Sequence, residues 1–317
     1  MSKRLAGAAL LALVALLARA ATAETVGVSM ARFDDPFLTA LREGMEAHAA
    51  RSAGLALEVE DAQDDVGRQL QQVQTFITAG VAAMIVNPVD TDATVVISEA
   101  AADAGIPLVY VNRQPVNVDD LPDGQAFVAS DERQSGTLEA EAVCRLLIAA
   151  GKGAGARVLV LTGTLTNQAA RQRTEDIDAV LATDDCRFMS IVEEQPADWQ
   201  RSQARDAMAR WLSAGVAFDA LIANNDEMAI GAIEAMKAAG TDMGAVVVAG
   251  IDATAAGLAA MRAGELDATV FQDAAAQGRG AVDAAVRLAH GEAVARKVYV
   301  PFRLVTAADL PAFEAGR

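Results

Sequence analysis

Residues 82–114, AAMIVNPVDTDATVVISEAAADAGIPLVYVNRQ, carry the unit on which the fold turns. An apolar run at 82–86 and another at 108–111 flank a segment of helix length. Each run is too short for a helix and is apolar at consecutive rather than alternate positions. Strands of that kind are buried on both faces, the situation of a parallel sheet covered by helices on either side.

The alternation continues in both directions. Runs at 26–30, 55–59 and 126–129 complete a first series, and runs at 157–161, 188–192, 220–223, 246–249 and 268–271 form a second. Apolar residues recur at three-to-four spacing between them, as at Leu41 and Met45 or at Met228, Ile230, Ile233 and Met236. The pattern is α/β and doubly wound. The series occurs twice, and a Gly- and Lys-containing break at 151–155 falls early in the second half. Two lobes of similar size are therefore expected rather than one ten-stranded sheet.

The first 23 residues read as an export leader. Lys3 and Arg4 precede an apolar run at 5–17, and small residues end the segment at Ala23, just before Glu24. The run falls short of the ~20 apolar residues that span a bilayer. A soluble periplasmic protein beginning near Glu24 is expected, and 53% hydrophobic residues support substantial cores. The net charge of −17 becomes more negative once Lys3, Arg4 and Arg19 are removed. So acidic a chain is repelled by nucleic acid and by anionic membrane, and neither is an expected partner. The two cysteines, Cys144 and Cys186, either stay as buried thiols or pair in an oxidising compartment, and a disulfide is the expectation. The two histidines, His48 and His290, fall on polar helix faces with no metal-ligand spacing around them, so no metal is expected.

In open α/β sheets, ligands lie beyond the carboxyl ends of the strands. Those positions here hold Asp35 and Phe37, Asn87, then Asn112 and Arg113 in the first half. In the second half they hold Arg171 and Arg173, Trp199, Asn225, Asp252 and Gln272. Asp or Asn alone at such a place is a helix N-cap. Caps do not call for Arg113, Arg171, Trp199 and Gln272 at the same level. Planar donors, carboxylates and aromatic faces together suit a small polyhydroxylated ring, whose hydroxyls need polar partners and whose C–H faces need a flat apolar surface. No glycine-rich phosphate loop follows a strand and no nucleophile–His pair is suggested, so neither an enzyme nor a cofactor is expected. A sugar-responsive transcription regulator would carry a helix-turn-helix at the N-terminus in place of the leader.

At these residues the chain resembles the periplasmic ribose-binding protein and its relatives, the sugar receptors of ABC importers. The likeness rests on Asp-Asp-Pro-Phe at 34–37, Val-Asn-Pro-Val-Asp-Thr-Asp-Ala at 86–93 and Ile-Pro-Leu-Val-Tyr-Val-Asn-Arg-Gln at 106–114. Ala-Ser-Asp at 129–131, Ala-Ala-Arg-Gln-Arg at 169–173, Gln-Pro-Ala-Asp-Trp at 195–199 and Asn-Asn-Asp-Glu-Met-Ala-Ile-Gly-Ala at 224–232 add to it. The resemblance implies ligand contacts at Asp35, Phe37, Asn87, Asn112, Arg113, Arg171, Trp199, Asn225, Asp252 and Gln272. Phe37 and Trp199 would sandwich a ring, Arg113 and Arg171 would fork onto hydroxyl oxygens, and Asp252 would accept from two hydroxyls. It further implies three crossings between lobes, near Ser130, near Gln272 and Asp273, and near Pro301. The lobes would comprise 24–130 with 273–300, and 131–272 with 301–317. A membrane permease is the implied partner, a chemoreceptor role is compatible with it, and the protein is expected to be a monomer.

Departures bear on the ligand. Ribose binders resembling this chain have Asn in place of Asp35 and Asp in place of Asn112. Leu38 replaces a second aromatic, and Trp199 is larger than the usual Phe. Phe-Asp-Asp at 33–35, Val-Asn-Arg-Gln-Pro at 111–115 and Val-Phe-Gln-Asp at 270–273 look closer to the branch that takes up inositol and related cyclitols, some of whose members bind the amino-cyclitols called rhizopines.

Overall fold

The computed structural model describes residues 24–315, and the expected leader lies outside them. Strands β1 (Glu24–Met30), β2 (Leu55–Asp61), β3 (Ala83–Val86), β4 (Leu108–Val111) and β5 (Gln125–Ala129) form a parallel sheet in the order β2-β1-β3-β4-β5. Strands β6 (Ala156–Thr162), β7 (Met189–Pro196), β8 (Ala220–Ala223), β9 (Val247–Asp252) and β10 (Ala268–Phe271) repeat the pattern as β7-β6-β8-β9-β10. Strand order reverses between β1 and β3 in one sheet and between β6 and β8 in the other, which are the places where such sheets open a crevice.

Each sheet gains a sixth strand that the apolar pattern does not announce. β11 (Lys297–Tyr299) joins β5 in parallel, and β12 (Arg303–Thr306) joins β10 antiparallel. Both are edge strands of three or four residues and are partly exposed, so they lack the continuous apolar run of a central strand.

The central strands are buried on both faces, as their composition requires. In β3, Ala83 and Ile85 join a cluster with Val28, Leu41 and Met45, while Met84 and Val86 join Phe76 and Tyr110 on the opposite side. Neighbouring residues go to opposite faces because the side-chain period of a strand is 2. The second sheet is built alike, with Leu159, Leu221 and Met228 on one side and Val143, Val158 and Ile177 on the other.

Helices α1 (Pro36–Ala49), α2 (Val66–Ala79) and α3 (Thr94–Ala104) connect the first sheet. Helix α4 (Ser135–Ala149) packs on β8, β9, β10 and β12, and α5 (Gln168–Leu181), α6 (Arg201–Ser213), α7 (Asp226–Ala238) and α8 (Ala255–Arg262) complete the second layer. Helix α9 (Ala274–Ala289) returns to the first sheet, packing on α1, β3, β4 and β5, and α10 (Leu310–Ala315) lies beside α8 and β12. The chain thus passes between the sheets after β5, after β10 and between β11 and β12. The two histidines are surface residues, His48 beside Asp283 and His290 beside Glu24.

Cys144 on α4 and Cys186 before β7 are joined by a disulfide, with Cα atoms 5.7 Å apart and a sequence separation of 42. Closing a loop of that length restricts the unfolded chain, worth roughly 2–4 kcal/mol. The double variant Cys144→Ser/Cys186→Ser should lose about that much stability in urea titration. A midpoint equal to that of the unreduced wild type would show that the bond contributes nothing.

Candidate functional site

A cavity lies between the carboxyl ends of the two sheets. From the first sheet it is lined by Asp35, Phe37 and Leu38 after β1, and by Asn112 and Arg113 after β4. From the second it is lined by Trp199 after β7, Asn225 after β8, Asp252 at the end of β9 and Gln272 after β10, together with Glu132, Asn167, Ala169 and Arg173.

Eight of the ten residues expected from sequence therefore meet: Asp35, Phe37, Asn112, Arg113, Trp199, Asn225, Asp252 and Gln272. Asn87 and Arg171 do not line the cavity. Asn87 is wholly buried and engaged by the protein. Its Nδ2 donates to the Val111 carbonyl at 3.1 Å and to Asn112 Oδ1 at 3.2 Å, and its Oδ1 accepts from the Ala31 amide at 3.4 Å. It braces the ends of three strands and orients Asn112. Arg171 turns away, its Nη1 donating to the Leu165 carbonyl at 2.6 Å. Arg173 takes the place expected of it. Helical phase explains the exchange. Ala169 and Arg173 are four apart on α5 and share a face, whereas Arg171 lies two positions from each and points elsewhere.

Arg173 is almost fully buried. Its Nε and Nη2 donate to Glu132 at 2.8 and 3.0 Å, its Nη1 to the Asn224 carbonyl at 2.5 Å, and its Nη2 also to Gln272 Oε1 at 3.4 Å. Burial works against the charge, but Glu132 and Asp252 outweigh it and hold the guanidinium above its ordinary pKa. The guanidinium carbon sits 5.6 Å from the centre of the Trp199 ring, a cation–π distance. Trp199 in turn packs directly over Gly163, where any Cβ would collide with the indole. Glu132 was not anticipated from sequence. It stands in the first crossing, outside any strand-end motif, and its partner is 41 residues away.

Arg113 presents a second buried guanidinium, anchored by donation from Nη1 to the Pro88 carbonyl at 2.8 Å. Burial lowers its pKa, with Asp35 opposing. Asp35 uses Oδ1 to cap α1, accepting from the Leu38 amide at 2.8 Å. Asn225 caps α7 in the same way at 3.0 Å from the Met228 amide. So the cap and the cavity reading both hold for these two residues, since each has further polar atoms beyond the one used by the helix.

Three of the buried polar atoms without partners among the described residues belong to side chains that line the cavity: Trp199 Nε1, Gln272 Nε2 and Asn167 Oδ1. Asp252 is buried as well, and no described group hydrogen-bonds its carboxylate. Three lining residues adopt the left-handed region, Asn112 at φ 65°, Trp199 at φ 64° and Asp252 at φ 120°. Such backbone costs of order 1–3 kcal/mol per residue and persists only where the surroundings impose it. Across the mouth, Thr91 donates from N and Oγ1 to the Thr166 carbonyl at 3.3 and 2.9 Å, and Asn167 Nδ2 donates to the Val89 carbonyl at 3.4 Å. These contacts join elements of the two sheets, so the lobes are closed on the cavity.

Among the described residues there is no group of His, Cys, Asp and Glu able to hold a metal, and no helix is long and apolar enough to cross a membrane.

Comparison with known proteins agrees with this geometry. The model of the periplasmic binding protein domain matches residues 26–293. A Rhizobium meliloti protein named "Putative rhizopine-binding protein" is 60% identical over 304 residues, 96% of this chain and 97% of its own. An ABC transporter solute binding protein from Bacillus halodurans, solved with bound myo-inositol, superposes with TM-score 0.86 at 39% identity, covering 94% of this chain and 99% of that one. The Caulobacter myo-inositol binding protein bound to myo-inositol gives TM-score 0.82 at 30% identity, covering 92% and 96%.

Burial holds the Asp252 carboxyl well above the ordinary carboxylate range, against the pull of Arg173. The folded protein then keeps a proton that the unfolded chain releases, so stability falls as pH rises from about 4 to the folded-state pKa and is level above it. In Asp252→Asn that contribution to the fall should vanish. Urea unfolding of the ligand-free protein at a series of pH values from 4 upward measures it, and equal pH slopes in variant and wild type would contradict the assignment.

Proposed function

The chain belongs to the periplasmic binding protein family, the substrate-capturing components of ABC importers, and we propose from this premise that it captures a cyclitol of the inositol type. The observation that carries the reading is a cavity lined by polar groups of both lobes, Asp35, Asn112 and Arg113 on one side and, on the other, Asp252 with Trp199 Nε1, Gln272 Nε2 and Asn167 Oδ1, the last three without partners among the described residues. A ring with a hydroxyl on every carbon donates and accepts in all directions, which matches a wall holding both donors and acceptors. Phe37 and Trp199 line the cavity from opposite sheets and supply flat surface for the ring's C–H faces.

The lobes are 24–130 with 273–300, and 131–272 with 301–317. They rotate together about the three crossings when ligand enters, because each supplies only part of the site. The ligand favours the closed form by its greater affinity for it. A permease in the inner membrane reads that form and receives the cargo. Residues 1–23 direct export and are removed near Ala23, and the mature protein acts as a monomer in the periplasm. A chemoreceptor reading the same closed form is compatible with this role.

A second reading, an amino-cyclitol, is favoured by the balance of charge. Arg173 pairs with Glu132, which leaves Asp35, Asp252 and Arg113 as the other charged side chains lining the cavity. The lining thus has one more acid than base; burial favours the protonated form of Asp252 in the free protein, and a ligand ammonium would favour its ionised form. The name of the Rhizobium meliloti relative agrees with that chemistry.

Calorimetry with myo-inositol, an inosamine and ribose separates these cases. Tight binding of a cyclitol with weak or absent ribose binding is expected. Tight ribose binding with none for either cyclitol would overturn the assignment. Preference for the inosamine, lost in Asp252→Asn, selects the second reading. Arg173→Lys should weaken cyclitol binding by about 1.5–3 kcal/mol, the worth of hydrogen bonds to a charged group, and Arg171→Ala should leave it unchanged. The reverse pattern would restore Arg171 to the site.

A further inference from the structure

Asp226 is wholly buried at the first position of α7, has no cationic partner, and does not line the cavity. An acid in the first turn of a helix is ordinarily a favourable interaction with the helix dipole. Its hydrogen bonds go elsewhere. Oδ2 accepts from the Thr254 amide at 2.7 Å and from Thr254 Oγ1 at 3.2 Å, and Oδ1 accepts from Thr269 Oγ1 at 2.7 Å. The Thr269 hydroxyl, its proton given to Asp226, accepts from the Ala253 amide at 3.1 Å. Both amides that follow Asp252 therefore end on one carboxylate, one directly and one through a single hydroxyl.

Those amides belong to the strained turn. Asp252 has φ 120° and Ala253 φ 51°, conformations that residues with a Cβ rarely adopt. Such a turn persists only if its surroundings fix it. Gly257 leaves the space that the fixing group occupies, since a Cβ there would collide with the Asp226 carboxylate.

We propose that Asp226 is a positioning residue for ligand recognition, holding the turn at 252–254 so that the Asp252 carboxylate faces the cavity. A carboxylate suits the task because it offers acceptors alone, and three donors converge on it. An amide in its place presents an N–H₂ to one of those donors and releases it. The proposal rests on the reading that Asp252 contacts the ligand, and its effect on affinity passes through Asp252.

Calorimetry with myo-inositol on wild type, Asp226→Asn, Asp252→Asn and the double variant tests it. Asp226→Asn should weaken binding roughly tenfold to a hundredfold, and should add nothing further once Asp252 is already Asn. An equal loss in both backgrounds would mean that Asp226 only supports the lobe, and no loss in either would remove it from the site; both outcomes overturn the proposal. Thr269→Val breaks the relay without touching Asp226 and should reproduce the loss, whereas Thr269→Ser keeps the hydroxyl and should retain wild-type affinity. This pair decides the matter should Asp226→Asn fail to fold by circular dichroism. Amide hydrogen exchange of the ligand-free protein supplies a readout independent of ligand identity. Exchange in the peptide spanning 252–258 should speed up in Thr269→Val and not in Thr269→Ser, and equal protection in the two would also overturn the proposal. If Asp252→Asn binds myo-inositol as wild type does while the exchange effect remains, it is the ligand reading that fails and not the brace.

Discussion

The cleft is organised around the charge of Arg173. A guanidinium removed from water is stable only where acceptors meet nearly every N–H. Here they come from separate parts of the fold: Glu132 in the first crossing, the Asn224 carbonyl after β8, and Gln272 after β10. Satisfying one buried charge therefore fixes the positions of two strand ends and of the chain as it enters the second lobe. The indole of Trp199 rests near the same group, so an apolar wall is set by the same anchor. Beside this anchor, Trp199 Nε1 and Gln272 Nε2 have no partner among the described residues and belong to side chains that line the cavity.

A buried pair of this kind is a poor source of stability, because desolvation offsets much of the attraction. Its value is geometric. The same holds for the left-handed residues Asn112, Trp199 and Asp252, each of which opposes folding locally and each of which faces the cavity. Strain gathered at one place, and supported by Asn87 beneath Asn112 and by Gly163 beneath Trp199, is what a preorganised site looks like.

Much of this was legible in the sequence, for physical reasons. Strands buried on both faces must be apolar throughout, so the runs at 82–86, 108–111 and 220–223 announced themselves, and the rule of strand ends then located eight lining residues. Three kinds of information were missing. Short edge strands such as β11 and β12 have no buried pair of faces to write into their composition. Motif position does not give helical phase, which is why Arg171 and Arg173 could not be told apart without α5. Long-range partners leave no local trace. Glu132 acquires its role only when folding brings it to Arg173, and Asn87 sits at a strand end yet is used up by the protein's own backbone.

Closure across the mouth is carried by few direct bonds, Thr91 to Thr166 and Asn167 to Val89. In the proposed hinge motion, contacts so sparse would let the lobes part without ligand and would add to closure once a ligand bridges them. The central claim is that the cavity is shared between two lobes that close on a cyclitol. Small-angle X-ray scattering of the mature protein, with and without saturating myo-inositol, measures this most directly. The radius of gyration should fall on adding myo-inositol and stay constant on adding ribose. A radius that does not change with myo-inositol, or that falls only with ribose, would contradict it.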